Sequence, residues 1–311
     1  MSYALRDFGI YTVGGRVIEI SEGARREVSF TRSARYTFDP RGHFAVEQNY
    51  VQYFIPEARN TALPVVLVHG GGMHRSTWET TPDGRPGWLN LLVAQGYEVH
   101  VIDNVERGRS GFASGIWDGD PISRSQEEAR GIFRIGTPEG FVTRTRFPAS
   151  LFPIHAFDAF SRMMVPRWLT TTSLHVEALV AVLQRMGPAV VICHSQGGEI
   201  TLDAARRVPE CFAGLIGIGP STILDDPETL KDIPTVLFSG GFLDSAPHWQ
   251  KRKDYWELWA QLLAHSRTPI RRVRRPNGMQ GFTHFPMFDR HNDACLQSCL
   301  CALLELQSLA S

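Results

Sequence analysis

The sequence predicts an α/β fold: a mostly parallel central sheet with helices on both faces and an antiparallel N-terminal edge. Three observations carry this. From Pro64 onward, short apolar runs alternate with stretches of helical periodicity, the pattern of strands buried on both sides. Before Pro64, strand-like runs follow one another with no helix between them. One stretch, from Ser110 to about Pro166, breaks the alternation and reads as an insertion over one end of the sheet.

The elements follow in order. Tyr11–Ile20 carries a Gly-Gly turn signal and then Val17-Ile18-Glu19-Ile20. Phe44–Ile55 sorts its residues onto two faces with period two, and Pro56 ends it. Pro64–His69 is a fully apolar strand running into three glycines. A helix is expected at Gly87–Gln95 and a strand at Tyr97–Asp103. In Leu174–Met186, apolar residues at 174, 179, 180, 183 and 186 share one helix face. Ala189–Cys193 is a strand and Gln196–Arg207 a helix. Strands follow at Phe212–Gly219 and Pro234–Gly240, then a Trp-rich helix over Pro247–His265. A strand at Ile270–Arg274 and a helix at Asn292–Leu309 close the chain. The expected organisation is one domain over 1–311 with an inserted lid over 111–170.

Composition narrows the function. Thirty-two basic residues balance thirty-two acidic ones, so no basic excess marks a nucleic-acid binder. No apolar run approaches the roughly 18 residues a membrane helix needs. The N-terminal residues lack a basic segment followed by an apolar one, so no secretory signal is expected. Five cysteines, all at Cys193 or later, are too few to staple a small secreted scaffold. A cytoplasmic protein with reduced thiols is the expectation. Cys295, Cys299 and Cys301 share the last helix without further ligands at metal spacing, so no metal is expected; the reading as a whole calls for no cofactor either.

The chemistry concentrates at Cys193-His194-Ser195-Gln196-Gly197, between an apolar strand and a helix. A sharp strand-to-helix turn there would expose the Ser195 hydroxyl, with the helix N-terminus behind it for a developing oxyanion. An ordinary corner with a capping serine would look similar, but a second feature coincides. His69-Gly70-Gly71-Gly72 ends an upstream strand, where a backbone N–H of Gly71 can join that of Gln196 in an oxyanion hole. The base should follow the nucleophile, and His284 lies between the last strand and the last helix. His248, His265 and His291 read better as surface or capping residues, and His194 as a buried hydrogen-bonding residue. For the acid, Asp244 follows the strand ending at Gly240, with Asp225 and Asp226 as runners-up. Gly72, Trp78 and His194 are the candidates for contact with substrate. Trp78, Trp88, Phe112, Trp117, Phe133, Phe141, Phe152 and Phe157 could wall an apolar pocket, although packing is the better reading for any one of them. Glu106 could reach the pocket mouth or pair with Arg107 or Arg109. Arg271, Arg272, Arg274 and Arg275 form a basic patch, read as a solvated strand edge.

From Pro64 to the C-terminus the chain therefore resembles the α/β-hydrolase superfamily. A narrower set of motifs looks like a small group of bacterial serine esterases: the run from Ser76 to Arg85, Arg107-Gly-Arg-Ser110, Ile132-Phe-Arg134, Arg146-Phe-Pro148 and His194-Ser-Gln196. That resemblance implies a cysteine pair where this chain has Gly71 and Gly72. It also implies a glutamate acid where this chain has Gly219, which leaves the acid role to Asp244 or empty. The implied activity is a serine esterase or lactonase acting on small-molecule esters or lactones, without nucleic acid or membrane and with a homodimer as one option for its assembly. Cleavage of a carbon–carbon bond by the same residues, or ligand binding without catalysis, are the rival readings. Activity should rise as His284 loses its proton, at about pH 6.5–7 for an ordinary histidine.

Overall fold

Valines and isoleucines alternate between two cores. Val65 and Leu67 point into one, Val66 and Val68 into the other, and all four are buried. Val190 and Ile192 against Val191 and Cys193 repeat the pattern. A strand buried on both faces must be apolar at every position, which is why these runs are continuous. Full burial of each such side chain contributes about 1.5–3 kcal/mol.

The architecture is that of a computed structural model, which describes residues 3–113, 115–222, 227–245, 249–250, 253, 257, 270–273 and 276–310. Its strands are β1 (Leu5–Ile20), β2 (Arg26–Ser29), β3 (Arg35–Phe38), β4 (Gly42–Pro56), β5 (Val65–Val68), β6 (Val99–Asp103), β7 (Ala189–His194), β8 (Phe212–Ile218), β9 (Thr235–Phe238) and β10 (Ile270–Val273). The main sheet runs β1-β4-β6-β5-β7-β8-β9-β10. β1, β4 and β6 pair antiparallel, and every pairing from β6 onward is parallel. The mostly parallel sheet with its antiparallel N-terminal edge is thus present.

The helices are α1 (Trp88–Ala94), α2 (Gln126–Ile132), α3 (Phe157–Ser161), α4 (Thr172–Met186), α5 (Gln196–Arg207) and α6 (Asn292–Ala310). α4 and α5 cover one face, through Val176, Leu179, Val182 and Ile200. α1 and α6 cover the other, through Leu92, Leu296 and Leu303. The hairpin of β2 and β3 was not anticipated. Its residues are mostly exposed and its strands only four residues long, so hydrophobic alternation could not reveal it. The helix expected over 247–265 lies largely outside the described residues, as do His248 and His265.

Residues 111–170 hold short helices rather than a strand–helix repeat. Ile122 and Arg167 exchange backbone hydrogen bonds (2.8 and 3.0 Å) and tie the two ends of this segment together. Its aromatic residues pack: Phe133, Phe152, Phe157 and Phe160 are buried and meet edge to face, with Phe133 and Phe160 against Phe285. Trp78 corrects an expectation. It is fully buried, 5.7 Å from the ring of Trp88 in the core, and does not face a substrate.

Candidate active site

β7 ends at His194 and α5 begins at Gln196, so Ser195 must turn the chain alone. It does so at φ 53°, ψ −117°. A side-chain-bearing residue is strained there by roughly 1–3 kcal/mol, and the surrounding contacts must hold it. Ser195 N–H donates to Ile218 O (3.0 Å), and its carbonyl accepts from Gly198 and Ser221. Gly197 lets α5 approach β5: a Cβ there would lie 2.6 Å from His69 O. Cys193, where the motif more often has glycine, is accommodated because its side chain is buried in the core under α4 and α5.

His284 meets this turn. Its Nε2 lies 2.9 Å from Ser195 Oγ. Several contacts fix the ring's loop. His284 N–H donates to Phe133 O, and the Thr283 N–H and hydroxyl both donate to Asp289 (2.5 and 2.9 Å). Asp289 is wholly buried, and loss of solvent pushes its carboxyl up to about 8. His194 lies behind, 4.7 Å from the His284 ring, with Nε2 2.9 Å from His284 O. Burial drives its pKa down to about 3, so it is neutral and donates from Nε2 to that carbonyl. His194 therefore holds the histidine loop and does not line the hollow. Trp249 packs 4.8 Å from the His284 ring and donates its indole N–H to Ile132 O.

The far edge of His284 differs from the expectation. Among the described residues, the group that meets Nδ1 is the Arg134 guanidinium, with Nη2 3.2 Å away. Arg134 also donates to Gly240 O and lies over the Trp249 ring. A guanidinium only donates, so a hydrogen bond in this contact would require Nδ1 to be unprotonated. Gly219 faces the same edge: a Cβ there would lie 3.2 Å from Nδ1. Asp244 is not brought to His284. Its side chain is 75% exposed and paired with Lys253 at 2.8 Å, and it lines a separate hollow with Phe242 and Phe282. The chain after β9 carries it outward, whereas Nδ1 faces the end of β8. Asp225 and Asp226 lie outside the described residues.

The loop after β5 completes the site. His69 Nε2 accepts from Asn104 N–H (3.0 Å), so its Nδ1 donates to Gly70 O (2.9 Å). Burial and the charge of Arg107 keep His69 neutral. In a trans peptide the carbonyl and the next N–H point in opposite directions. Anchoring Gly70 O on His69 therefore turns the Gly71 N–H the other way. Gly71 lines a hollow of about 250 Å³ with Ser195, Gln196, His284 and Trp249. Gly72 lines a smaller hollow, which shares Arg124, Phe133 and Arg167 with the first.

Gln196 begins α5, so its N–H has no partner within the helix. Its side chain is held back: Oε1 accepts from Arg167 Nη1 (2.8 Å) and Arg107 Nη2 (3.4 Å). Arg107 is buried against Glu106 at 3.1 Å, which settles the place of Glu106 in an internal ion pair. Thr171 donates to the same carboxylate, and His175 Nε2 lies 3.4 Å away. Asp103 braces the neighbouring turns by accepting from the backbone of Arg75 and Arg109.

Sequence reasoning did not single out Arg167, Trp249 or Asp289, and named Arg134 only inside a motif. Among the described residues, no group of three or more His, Cys, Asp or Glu is placed to hold a metal.

Comparison with known proteins agrees with this arrangement. The alpha/beta hydrolase family matches residues 65–298. A solved bacterial esterase superimposes with a TM-score of 0.83 at 26% identity, over 99% of this chain and 98% of its own. Among curated proteins, a probable secreted lipase, phiG, of a fungal strain is 28% identical over 180 residues, 55% of this chain and 49% of its own length. Lipase LipV of Mycobacterium tuberculosis is 29% identical over 135 residues, 42% of this chain and 51% of its own. The chain thus spans about half the length of the curated relatives it matches.

Proposed function

We propose that this chain, which belongs to the alpha/beta hydrolase family, is a serine hydrolase that cleaves small carboxylic esters and lactones through an acyl-enzyme. The observation that carries the reading is the 2.9 Å approach of His284 Nε2 to the hydroxyl of a backbone-strained Ser195. The esterase and lipase relatives support the same class.

Ser195 Oγ attacks the acyl carbonyl while His284 Nε2 takes its proton. The Gly71 and Gln196 N–H groups receive the oxyanion, each such donor being worth about 2.7–4 kcal/mol to the transition state. His284 then protonates the leaving alcohol, and water resolves the acyl-enzyme by the reverse sequence. For Nε2 to act as base, Nδ1 must carry the proton and donate it. A carboxylate at that edge does this, with Arg134 beside it as counter-ion. We assign that carboxylate to Asp225 or Asp226, which follow Gly219 in the chain. The segment 111–170 serves as the lid over this hollow.

No described helix is long and apolar enough to cross a membrane. The five cysteines are free thiols, four of them buried, which fits a cytoplasmic setting.

Intact mass after exposure to a fluorophosphonate tests the reading. One adduct on the wild type, absent from Ser195→Ala, is expected. No adduct on folded wild-type protein would refute the activated nucleophile.

A further inference from the structure

We infer that the hollow beside Ser195 is built for an acyl group carrying its own carboxylate, received by Arg167 with Arg124 alongside. The inference rests on the ester-hydrolase reading above and names the substrate class of that site.

The Ile122–Arg167 backbone bridge fixes the origin of both side chains. Arg167 stands directly opposite Ile122, and Arg124 lies two residues further on. Both arginines line the hollow of Ser195 and the smaller hollow next to it. Arg167 lies over Gly71, and the space is there because Gly71 has no side chain: a Cβ would strike the guanidinium. That puts a cation beside one of the proposed oxyanion donors.

Arg167 is poorly neutralised. Among the described residues it makes no ion pair; its side-chain hydrogen bond is Nη1 to the neutral Gln196 Oε1, and its Nε is buried without a partner. Arg124 does pair, with Glu128. Glu199 lines the same hollow and attracts Arg167 from there. Burial, then Arg107, then Arg124 outweigh Glu106 and Glu199 and bring the Arg167 pKa down to about 10. Desolvated cations that repel one another are stabilised by a bound anion. A carboxylate fits the planar fork of a guanidinium. The hollow, about 250 Å³, is smaller than the roughly 300–1,000 Å³ of drug-sized pockets. Its size and the closeness of Arg167 to Gly71 set a short spacer between carboxylate and scissile carbonyl, as in a monoester of a four- or five-carbon diacid.

The test compares hydrolysis of monoethyl glutarate with that of ethyl pentanoate, its neutral counterpart, by acid release. Wild type should favour the anionic ester in kcat/KM. Arg167→Met should lower the ratio of the two by about tenfold or more, the usual worth of a charge-assisted contact, and Arg167→Lys should restore part of it. A wild-type preference for the neutral ester would overturn the inference. So would equal losses on both esters, since Arg167 would then only brace Gln196. Binding separates this from failure of the hydrolase reading. Ser195→Ala should bind monoethyl glutarate in calorimetry, and adding Arg167→Met should abolish it. If neither ester turns over but this binding holds, the anion site stands and the ester chemistry falls. If the binding is missing, the anion site falls whatever the turnover.

Discussion

The two ends of the Ser195–His284 contact are built differently. On the serine side, the turn is local: an apolar strand, a one-residue turn and a helix are consecutive in the chain, and the glycine loop after β5 packs against them. On the far side of His284, the partner at Nδ1 is chosen by which chain segment reaches it from a distance. Gly219, the residue after β8, faces it there, and Arg134 arrives from just beyond α2. Strand–turn–helix chemistry is written in adjacent residues. Delivery of a carboxylate across a sheet edge is not, and two segments with the same sequence order, after β8 and after β9, can each offer an aspartate.

The sharpest way to break this comparison is to neutralise each aspartate in turn. Asp225→Asn or Asp226→Asn should lower kcat by about 10⁴, the cost of leaving a catalytic histidine in the wrong tautomer. Asp244→Asn should leave kcat within about twofold, because a surface ion pair is worth little; the Asp244 carboxylate pairs with Lys253 at the surface. A large loss at Asp244 with no loss at the other two would reverse the assignment. Ester turnover and a circular-dichroism check of folding decide it.

A smaller effect probes the local side. Gly70 packs so closely that a Cβ would lie 2.8 Å from His194 Nδ1 and 2.9 Å from Ser195 Cβ. Both neighbours are held in place, His194 by His284 O and Ser195 by Ile218 O. Gly70→Ala should cost about 1–3 kcal/mol of stability and lower kcat by roughly 10²-fold, since small displacements of reacting groups have that effect. Denaturant midpoints and ester kinetics give the two numbers. A fully active Gly70→Ala would show that the loop is looser than its contacts imply.

This division explains what the residues disclosed in advance. The strand expected at Pro64–His69 is β5, and the helix expected at Gln196–Arg207 is α5 to the residue. Continuous apolar runs bounded by glycine have few other uses. The turn at Ser195 was legible for the same reason. Asp244 was misplaced because chain order constrains an acid only to one of several segments. Trp78 stood near chemistry in sequence, but an aromatic side chain at the end of a short 3₁₀ turn can equally face the core, and this one does. Arg167 gave no local signal at all. Its position comes from pairing with Ile122 across the whole inserted segment, a contact between residues far apart in the chain.

Asp289 offers the finest probe, because it couples the local and distant sides of the site. Its carboxyl, raised to about 8 by burial, would have a value of about 3.9 in the unfolded chain. Between those values the folded protein holds a proton that the unfolded chain has released. Stability therefore falls as pH rises through that window, by up to about 1.4 kcal/mol per unit. The two Thr283 donors and the positive charge of Arg134 and Arg85 work against burial, which limits the net rise to about 8 and so sets the upper end of the window. Asp289→Asn cannot titrate, and its amide oxygen can still accept from Thr283. Denaturant midpoints at pH 5, 6, 7 and 8 should decline in the wild type and flatten in Asp289→Asn relative to it. Parallel curves would mean that Asp289 is already ionised across the range, held so by Thr283 and the two arginines. In that case the histidine loop is clamped by a charge rather than by a neutral acid, and Asp289→Asn should loosen His284 and lower kcat at every pH.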